Sequence, residues 1–172
     1  MNEKVFFTEE QKFKQWWLWL ILLGINVIFI IGIIKQIYYN EPYGDNPASN
    51  TILLLTFCGT VLLTLLFYYF KLQTIIKLDG IYVRFFPIQI AYKKYSWESL
   101  NKTYIRKYSP LGEYGGWGFR FGIFGNGYGN ALNVSGNMGL QLKILDKTNL
   151  LIGTNKPEEL KKILIKMDKY KE

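Results

Sequence analysis

The chain has 172 residues, a formal net charge of +8, one cysteine and no histidine. A lone cysteine excludes an intrachain disulfide framework, and the lack of histidine excludes imidazole catalysis and His-ligated zinc. The charge is unevenly spread: residues 71–172 hold 17 of the 21 basic and 8 of the 13 acidic residues, whereas residues 1–70 are largely apolar.

In chain order, Thr8-Glu9-Glu10-Gln11 has the form of a capping box, so the first helix is expected to begin near Thr8. Two uncharged apolar runs follow, residues 16–34 and 52–70, each 19 residues long. At ~1.5 Å per residue each matches a bilayer core of ~30 Å, and both are expected to span a membrane. The first run is longer than a signal-peptide core and has no small-x-small cleavage site, so it is expected to be retained. Residues 35–51, with Pro42, Gly44 and Pro47, form the connecting loop. Lys4, Lys12 and Lys14 precede the first run, and Lys71, Lys77 and Arg84 follow the second. The loop sets one Lys against Glu41 and Asp45. This bias predicts a two-pass protein of the cytoplasmic membrane with both termini cytoplasmic. Trp16, Trp17, Trp19, Tyr68 and Tyr69 suit the inner interface, and Tyr38, Tyr39 and Tyr43 the outer one. Within the spans, Thr56, Thr60 and Thr64 recur every four residues beside Gly59, and Asn26 lies in the first span. These residues are expected to pack helix on helix, within the hairpin or in a homo-oligomer.

From residue 71 the pattern changes to β. Residues 74–78 and 81–86 flank Asp79-Gly80, a two-residue hairpin signal, and Ile81, Val83 and Phe85 alternate with Tyr82, Arg84 and Phe86. Further candidate strands are residues 88–95, 102–108, 117–124, 131–135, 140–145 and 150–153. Their spacing favours an antiparallel sandwich or barrel of about seven strands, with no βαβ unit. A terminal helix closes the chain. Asn155-x-x-Glu158 offers its cap, Pro157 its first turn, and Leu160, Ile163, Leu164 and Met167 a stripe for packing on the sheet. The expected organisation is therefore residues 1–70 as an N-terminal segment with two spans, and residues 71–172 as one cytoplasmic domain.

Three segments carry a resemblance: Lys77-Leu78-Asp79-Gly80-Ile81-Tyr82-Val83, Tyr95-Ser96-Trp97-Glu98-Ser99-Leu100, and Ile152-Gly153-Thr154-Asn155-Lys156-Pro157-Glu158-Glu159-Leu160. With the two spans before them, they resemble bacterial membrane proteins, mostly of unknown function, that carry two N-terminal helices and a cytoplasmic domain like the pleckstrin-homology (PH) fold. The resemblance implies two orthogonal sheets with a C-terminal helix plugging one end. It implies no reaction. Phosphoinositide-binding PH domains gather basic residues around the loop joining their first two strands. The corresponding turn here, read as Asp79-Gly80, has only Lys77 and Arg84 beside it.

The segment 112–139 holds 10 of the 16 glycines, yet it contains no phosphate-binding loop motif, and tight turns in a small β-fold account for it. Gly127-Tyr128-Gly129 is like a potassium filter but lies beyond the second span, where no pore loop belongs. Asp79, Glu98, Glu113 and Asp146 are dispersed, and the helix N-terminus accounts for Glu158 and Glu159. No enzyme and no cofactor are expected. Basic and aromatic residues interleave from 92 to 108, and Lys93, Lys94, Arg106 and Lys107 are the candidates for anionic contact. A domain tethered a few residues below a bilayer meets anionic lipid headgroups or a protein partner before it meets nucleic acid. The expected function is a non-enzymatic membrane-bound interaction module. The alternative is an accessory subunit of a transporter or envelope complex.

Overall fold

The computed structural model describes residues 4–121, 128–145 and 149–171. They separate into two compact units: residues 14–69 form one, and those up to Phe13 together with those from Phe70 form the other.

The first unit is a pair of apolar helices, α1 (Trp16–Ile33) and α2 (Asn50–Tyr69). Both are long and apolar enough to cross a membrane. A π-helical turn, Ile34–Tyr38, extends α1, so the connection is residues 39–49 and not the expected 35–51. Gln36 closes this connection, its Nε2 donating to the Ala48 carbonyl at 2.7 Å and to Asn50 Oδ1 at 2.8 Å. The Tyr43 ring folds over Gly32, 2.8 Å from where a Cβ would stand, which leaves no room for a side chain there. The helices meet along one seam. Leu53, Phe57, Thr60, Val61, Thr64 and Phe67 are the less exposed positions of α2, and their recurrence at three and four residues is that of a helix-pair seam. Leu22, Asn26 and Phe29 are their counterparts on α1.

The second unit is mixed α+β: two mostly antiparallel sheets and a C-terminal helix. One sheet has the order β1 (Val5–Lys12), β2 (Lys71–Lys77), β3 (Gly80–Phe86), β4 (Lys93–Ser96). The other contains β5 (Leu100–Lys107), β6 (Gly118–Arg120), β7 (Asn130–Asn133), β8 (Met138–Ile144) and β9 (Leu150–Gly153), in the order β5-β8-β9-β7-β6. A 3₁₀ turn at Trp97–Ser99 joins them. A short helix, α3 (Pro110–Tyr114), follows β5, and α4 (Pro157–Lys166) packs against β1, β5 and β8, thus against both sheets. After α4 the chain returns to β5, where Thr103 and Lys171 exchange backbone hydrogen bonds at 2.9 Å.

Several expectations change. Residues 8–11 cap no helix: they lie in β1, paired antiparallel with β2 in a register that sets Glu9 opposite Thr74 and Lys12 opposite Lys71. The helical hairpin is therefore inserted between two neighbouring strands of one sheet, and residues 4–13 belong with the domain. The two-residue turn between β2 and β3 is Leu78-Asp79, with Lys77 opposite Gly80. Gly80 begins β3 at φ +154°, where a Cβ would run into the Tyr95 carbonyl of β4. The expected strand 88–95 is a loop up to Tyr92, and β4 begins only at Lys93. The second sheet is not wholly antiparallel: β7 runs parallel to β9, because the β6–β7 hairpin, inserted between β5 and β8, folds onto the free edge of β9. Part of the expected strand 117–124, and Gly127 and Asp146, lie outside the described residues.

The inner face of the first sheet carries Phe7, Leu72, Ile76, Ile81, Val83 and Phe85, all buried. Leu140, Leu142, Leu150 and Ile152 form the matching buried face of β8 and β9, whereas Leu151 lies on the opposite face with Tyr108, Tyr114 and Ala131. Leu160 and Leu164 of α4 are buried as its stripe requires. Two polar residues of β1 share this interior. Glu9 accepts from the Thr154 hydroxyl at 2.7 Å and from the Asn155 backbone N–H at 2.8 Å. Gln11 donates to the Gly153 carbonyl at 2.7 Å. They bind β1 of one sheet to the segment joining β9 to α4. Asn155, engaged here and with Ser135, does not cap α4, whose N-cap is Lys156 without a side-chain bond.

Candidate functional site

In the helical unit the structure brings three of the five expected packing residues together. Asn26 Nδ2 donates to Thr64 Oγ1 at 2.8 Å and to the Leu22 carbonyl at 2.7 Å, and its Oδ1 accepts from Thr60 Oγ1 at 3.1 Å. An amide with donor and acceptor both engaged is well suited to an apolar surround. Thr56 and Gly59 lie elsewhere. Thr56 is exposed and bonds back to the Ile52 carbonyl at 2.8 Å, and a Cβ on Gly59 would meet nothing within 4 Å. Away from the seam both helices expose mainly aliphatic side chains, with Leu20 at 62%, Leu55 at 68% and Leu62 at 68% exposure.

The four candidate anion contacts do not converge on one surface. Lys93 and Lys94 are neighbours on β4, so their side chains leave opposite faces of the strand. Lys94 pairs with Asp79 at 2.5 Å, and the Tyr82 hydroxyl donates to the same carboxylate at 2.7 Å. The hydrogen bonds from Lys94 and Tyr82 hold the Asp79 carboxyl below its usual range and raise the Lys94 ammonium. Lys93 is exposed, its ammonium 5.4 Å from the Tyr95 ring. Arg106 and Lys107 lie in the other sheet. Lys107 is exposed, whereas Arg106 is the hub of an internal network. Its guanidinium meets Glu113 at 2.7 Å, Gln141 Oε1 at 2.9 Å and the Tyr114 hydroxyl at 3.1 Å. An arginine so engaged is a structural clamp and a poor receptor for an incoming phosphate.

That clamp explains α3, which the sequence reading missed. Ser109 caps it, its Oγ accepting from the Gly112 N–H at 3.1 Å, with Pro110 in the first turn. Glu113 returns the bond, accepting from the Ser109 N–H at 2.8 Å. Serine followed by proline and then by glutamate four residues on was the available signal. Tyr114 packs edge-on against Tyr108 and Tyr128, at 5.9 and 6.2 Å between ring centres. Burial pushes the Tyr114 phenol up from the usual 10 to about 12 and raises that of Tyr108 as well. Burial also works against the Glu113 carboxylate, but the bonds from Arg106 and Ser109 prevail and lower it. Titratable groups this perturbed often mark active sites, yet Glu113 and Tyr114 are both bonded to Arg106, while the buried Tyr108 hydroxyl has no hydrogen-bond partner among the described residues.

A second group, also missed, lies on the outer face of the first sheet at the end where the chain passes to and from the helices. Glu10 pairs with Lys12 at 3.4 Å and Lys71 at 3.7 Å and accepts from Gln73 Nε2 at 2.6 Å. Gln73 in turn accepts from Arg84 Nε at 2.8 Å and from the Tyr92 hydroxyl at 3.1 Å. The Arg84 guanidinium stacks on Tyr92 at 4.5 Å, and Lys71 lies over Phe86 at 5.6 Å. Cations outnumber Glu10 at this end, and aromatic rings support them. No local pattern joins Glu10 and Lys12 to Lys71, Gln73 and Arg84, because the helical hairpin separates β1 from β2 and β3.

Among the described residues no group of three or more His, Cys, Asp or Glu side chains stands ready for a metal ion. Comparison with known proteins finds no matching family model, no similar curated protein and no similar solved structure.

Proposed function

We propose that this chain is a two-pass membrane protein without enzymatic activity that holds a PH-like interaction domain at the cytoplasmic face. One observation carries the reading: α1 and α2 bury a single polar-pinned seam and leave aliphatic side chains exposed on all other sides. In water such a surface is a strong liability; in lipid it is the required one. Tryptophan and tyrosine at the helix ends support it, since Trp16, Tyr38, Tyr39, Tyr68 and Tyr69 are all more than half exposed. The pairing of β1 with β2 supports a hairpin whose two ends emerge on one side, and the lysine and arginine bias makes that side cytoplasmic. Two sheets with a C-terminal helix packed on both support the PH-like assignment. In that fold the connection between the first two strands is the place of headgroup recognition; here that connection is the helical hairpin itself, not the Asp79 turn. The acidic side chains Glu9, Asp79 and Glu113 each serve a structural bond, which supports a binding role over catalysis. In this reading the exposed Lys93 and Lys107 contact anionic headgroups, with Lys94 and Arg106 held by Asp79 and Glu113.

The test is alkaline carbonate extraction of membranes, followed by protease protection of tags at both ends. The reading expects the protein to stay in the pellet, with both tags cleaved only from the cytoplasmic side. Release into the supernatant, or tags on opposite sides, overturns it. A second reading, an accessory subunit of a larger membrane complex, is favoured by Thr56 and Gly59 on the uncovered face of α2, where a further helix has room to approach closely. Stoichiometric recovery of a large membrane protein after gentle detergent extraction would select it.

A further inference from the structure

Residues 87–92, between β3 and β4, form a loop whose backbone is held in and whose apolar side chains stand out. Arg84 Nη1 donates to the Ile90 carbonyl at 3.0 Å while its guanidinium stacks on Tyr92. Gln89 bonds to Phe85 in both directions, N–H to carbonyl at 2.8 Å and Oε1 from the Phe85 N–H at 3.1 Å. In spite of this anchoring Ile88 is 55% and Ile90 78% exposed. A frayed loop would expose such residues by default. This one is built by a half-buried arginine on the outer face of β3 and two glutamines, and it still keeps two β-branched aliphatics in the open.

Strand register gives the loop a defined place. Phe86, the last residue of β3, lies opposite Lys71, which lies opposite Lys12. Lys71 comes two residues after Tyr69, the end of α2, and Lys12 four residues before Trp16, the start of α1. The loop therefore leaves the sheet at the end where both chain crossings occur. The Leu78-Asp79 turn is at the other end of the same strands, about 20 Å away at ~3.3 Å per residue. Lys12, Lys71 and Arg84 surround the loop's base, the two lysines pairing with Glu10 and Arg84 bonding to Gln73.

We propose that residues 87–92 are a second, monotopic membrane contact: Ile88 and Ile90 enter the boundary between headgroups and acyl chains, while Lys12, Lys71 and Arg84 lie at the level of the lipid phosphates. Interfacial segments pair an apolar tip with a basic base in this way and reach ~5–10 Å into the leaflet. The occupant is the bilayer because the loop is continuous, through one strand pair, with the residue that leaves α2. The proposal rests on the membrane-spanning reading of α1 and α2. It adds a third point of attachment to the two chain crossings.

The experiment uses the full chain in vesicles of phosphatidylethanolamine and phosphatidylglycerol, in a Cys58→Ser background. Single cysteines at Ile90, Leu78 and Leu62 carry an environment-sensitive fluorophore. Quenching is read with iodide in water and with nitroxides placed high or low on the acyl chain. The expected result is an Ile90→Cys probe quenched by the shallow nitroxide and several-fold less accessible to iodide than the Leu78→Cys probe, which is 65% exposed in the native side chain but distal. An Ile90 probe that matches the Leu78 probe, with Leu62 quenched by the deep nitroxide, overturns the loop contact and leaves the spanning hairpin standing. A Leu62 probe open to iodide overturns both.

Discussion

Glu9 ties the first sheet to the segment that follows β9. It is 7% exposed, belongs to the first strand, and accepts hydrogen bonds from Thr154 and Asn155 on the far side of the sequence. Replacing it with alanine leaves the Thr154 O–H and the Asn155 backbone N–H without their acceptor. Bonds to a charged acceptor contribute roughly 1.5–3 kcal/mol, so Glu9→Ala is expected to lose at least about 2 kcal/mol of domain stability, read by denaturant unfolding in detergent. Tyr114 gives a pH-dependent prediction. Its phenol ionises near 10 when unfolded and near 12 when folded. Below 10 both states are protonated and nothing is lost. As pH rises from 10 towards 12 the unfolded chain releases a proton that the folded one keeps, so stability falls across that window. Alkaline unfolding is expected to set in there, and Tyr114→Phe to shift it upward in a pH-dependent melting series.

At the scale of elements, the helix pair and β1 obey opposite rules. The helices are legible from composition alone, because nothing but an apolar solvent or a large core accepts 19 uncharged residues in a row. The expected contact of Asn26 with the threonine face is there, but only with Thr60 and Thr64; a four-residue spacing drifts round the helix, and Thr56 falls off the seam. Asn26→Ala is expected to weaken the hairpin by about 1 kcal/mol, the usual size of such a bond in a membrane setting. A double-mutant cycle with Thr64→Ala, read by unfolding in bicelles, isolates the Asn26–Thr64 share. β1 illustrates the converse. Its inward residues are Phe7, Glu9 and Gln11, so two of three core-facing positions are polar and the period-two hydrophobic pattern vanishes. Thr8 and Gln11 then imitate a helix cap. The 88–95 misreading has a similar cause: isoleucines that alternate like a strand are displayed on a loop.

For the whole molecule, the consequence of β1 is that the domain is discontinuous in sequence. Residues 71–171 alone would leave β2 as a bare edge with the partners of Glu9 and Gln11 exposed, a template for aggregation. Joining Phe13 to Phe70 by a short glycine-containing turn, in place of the hairpin, restores the sheet. The joined chain is expected to be a soluble, cooperatively unfolding monomer, whereas residues 71–171 alone are expected to aggregate or melt without cooperativity. Size-exclusion chromatography with circular dichroism distinguishes the two.

The sequence by itself determined the two long apolar helices, the change to β structure after them, the hairpin at Leu78-Asp79 to within one residue and the terminal helix with its buried stripe. Each rests on a local period or on composition, and both survive without knowledge of neighbours. Tertiary structure alone decided that β1 pairs across the hairpin, that β7 runs parallel to β9, that Arg106 is a clamp with its charge spent on Glu113, and that Lys12, Lys71, Arg84 and Tyr92 gather at one end of a sheet. Those relations join residues far apart in the chain, through polar groups whose role depends on the partner, and no local pattern encodes a partner.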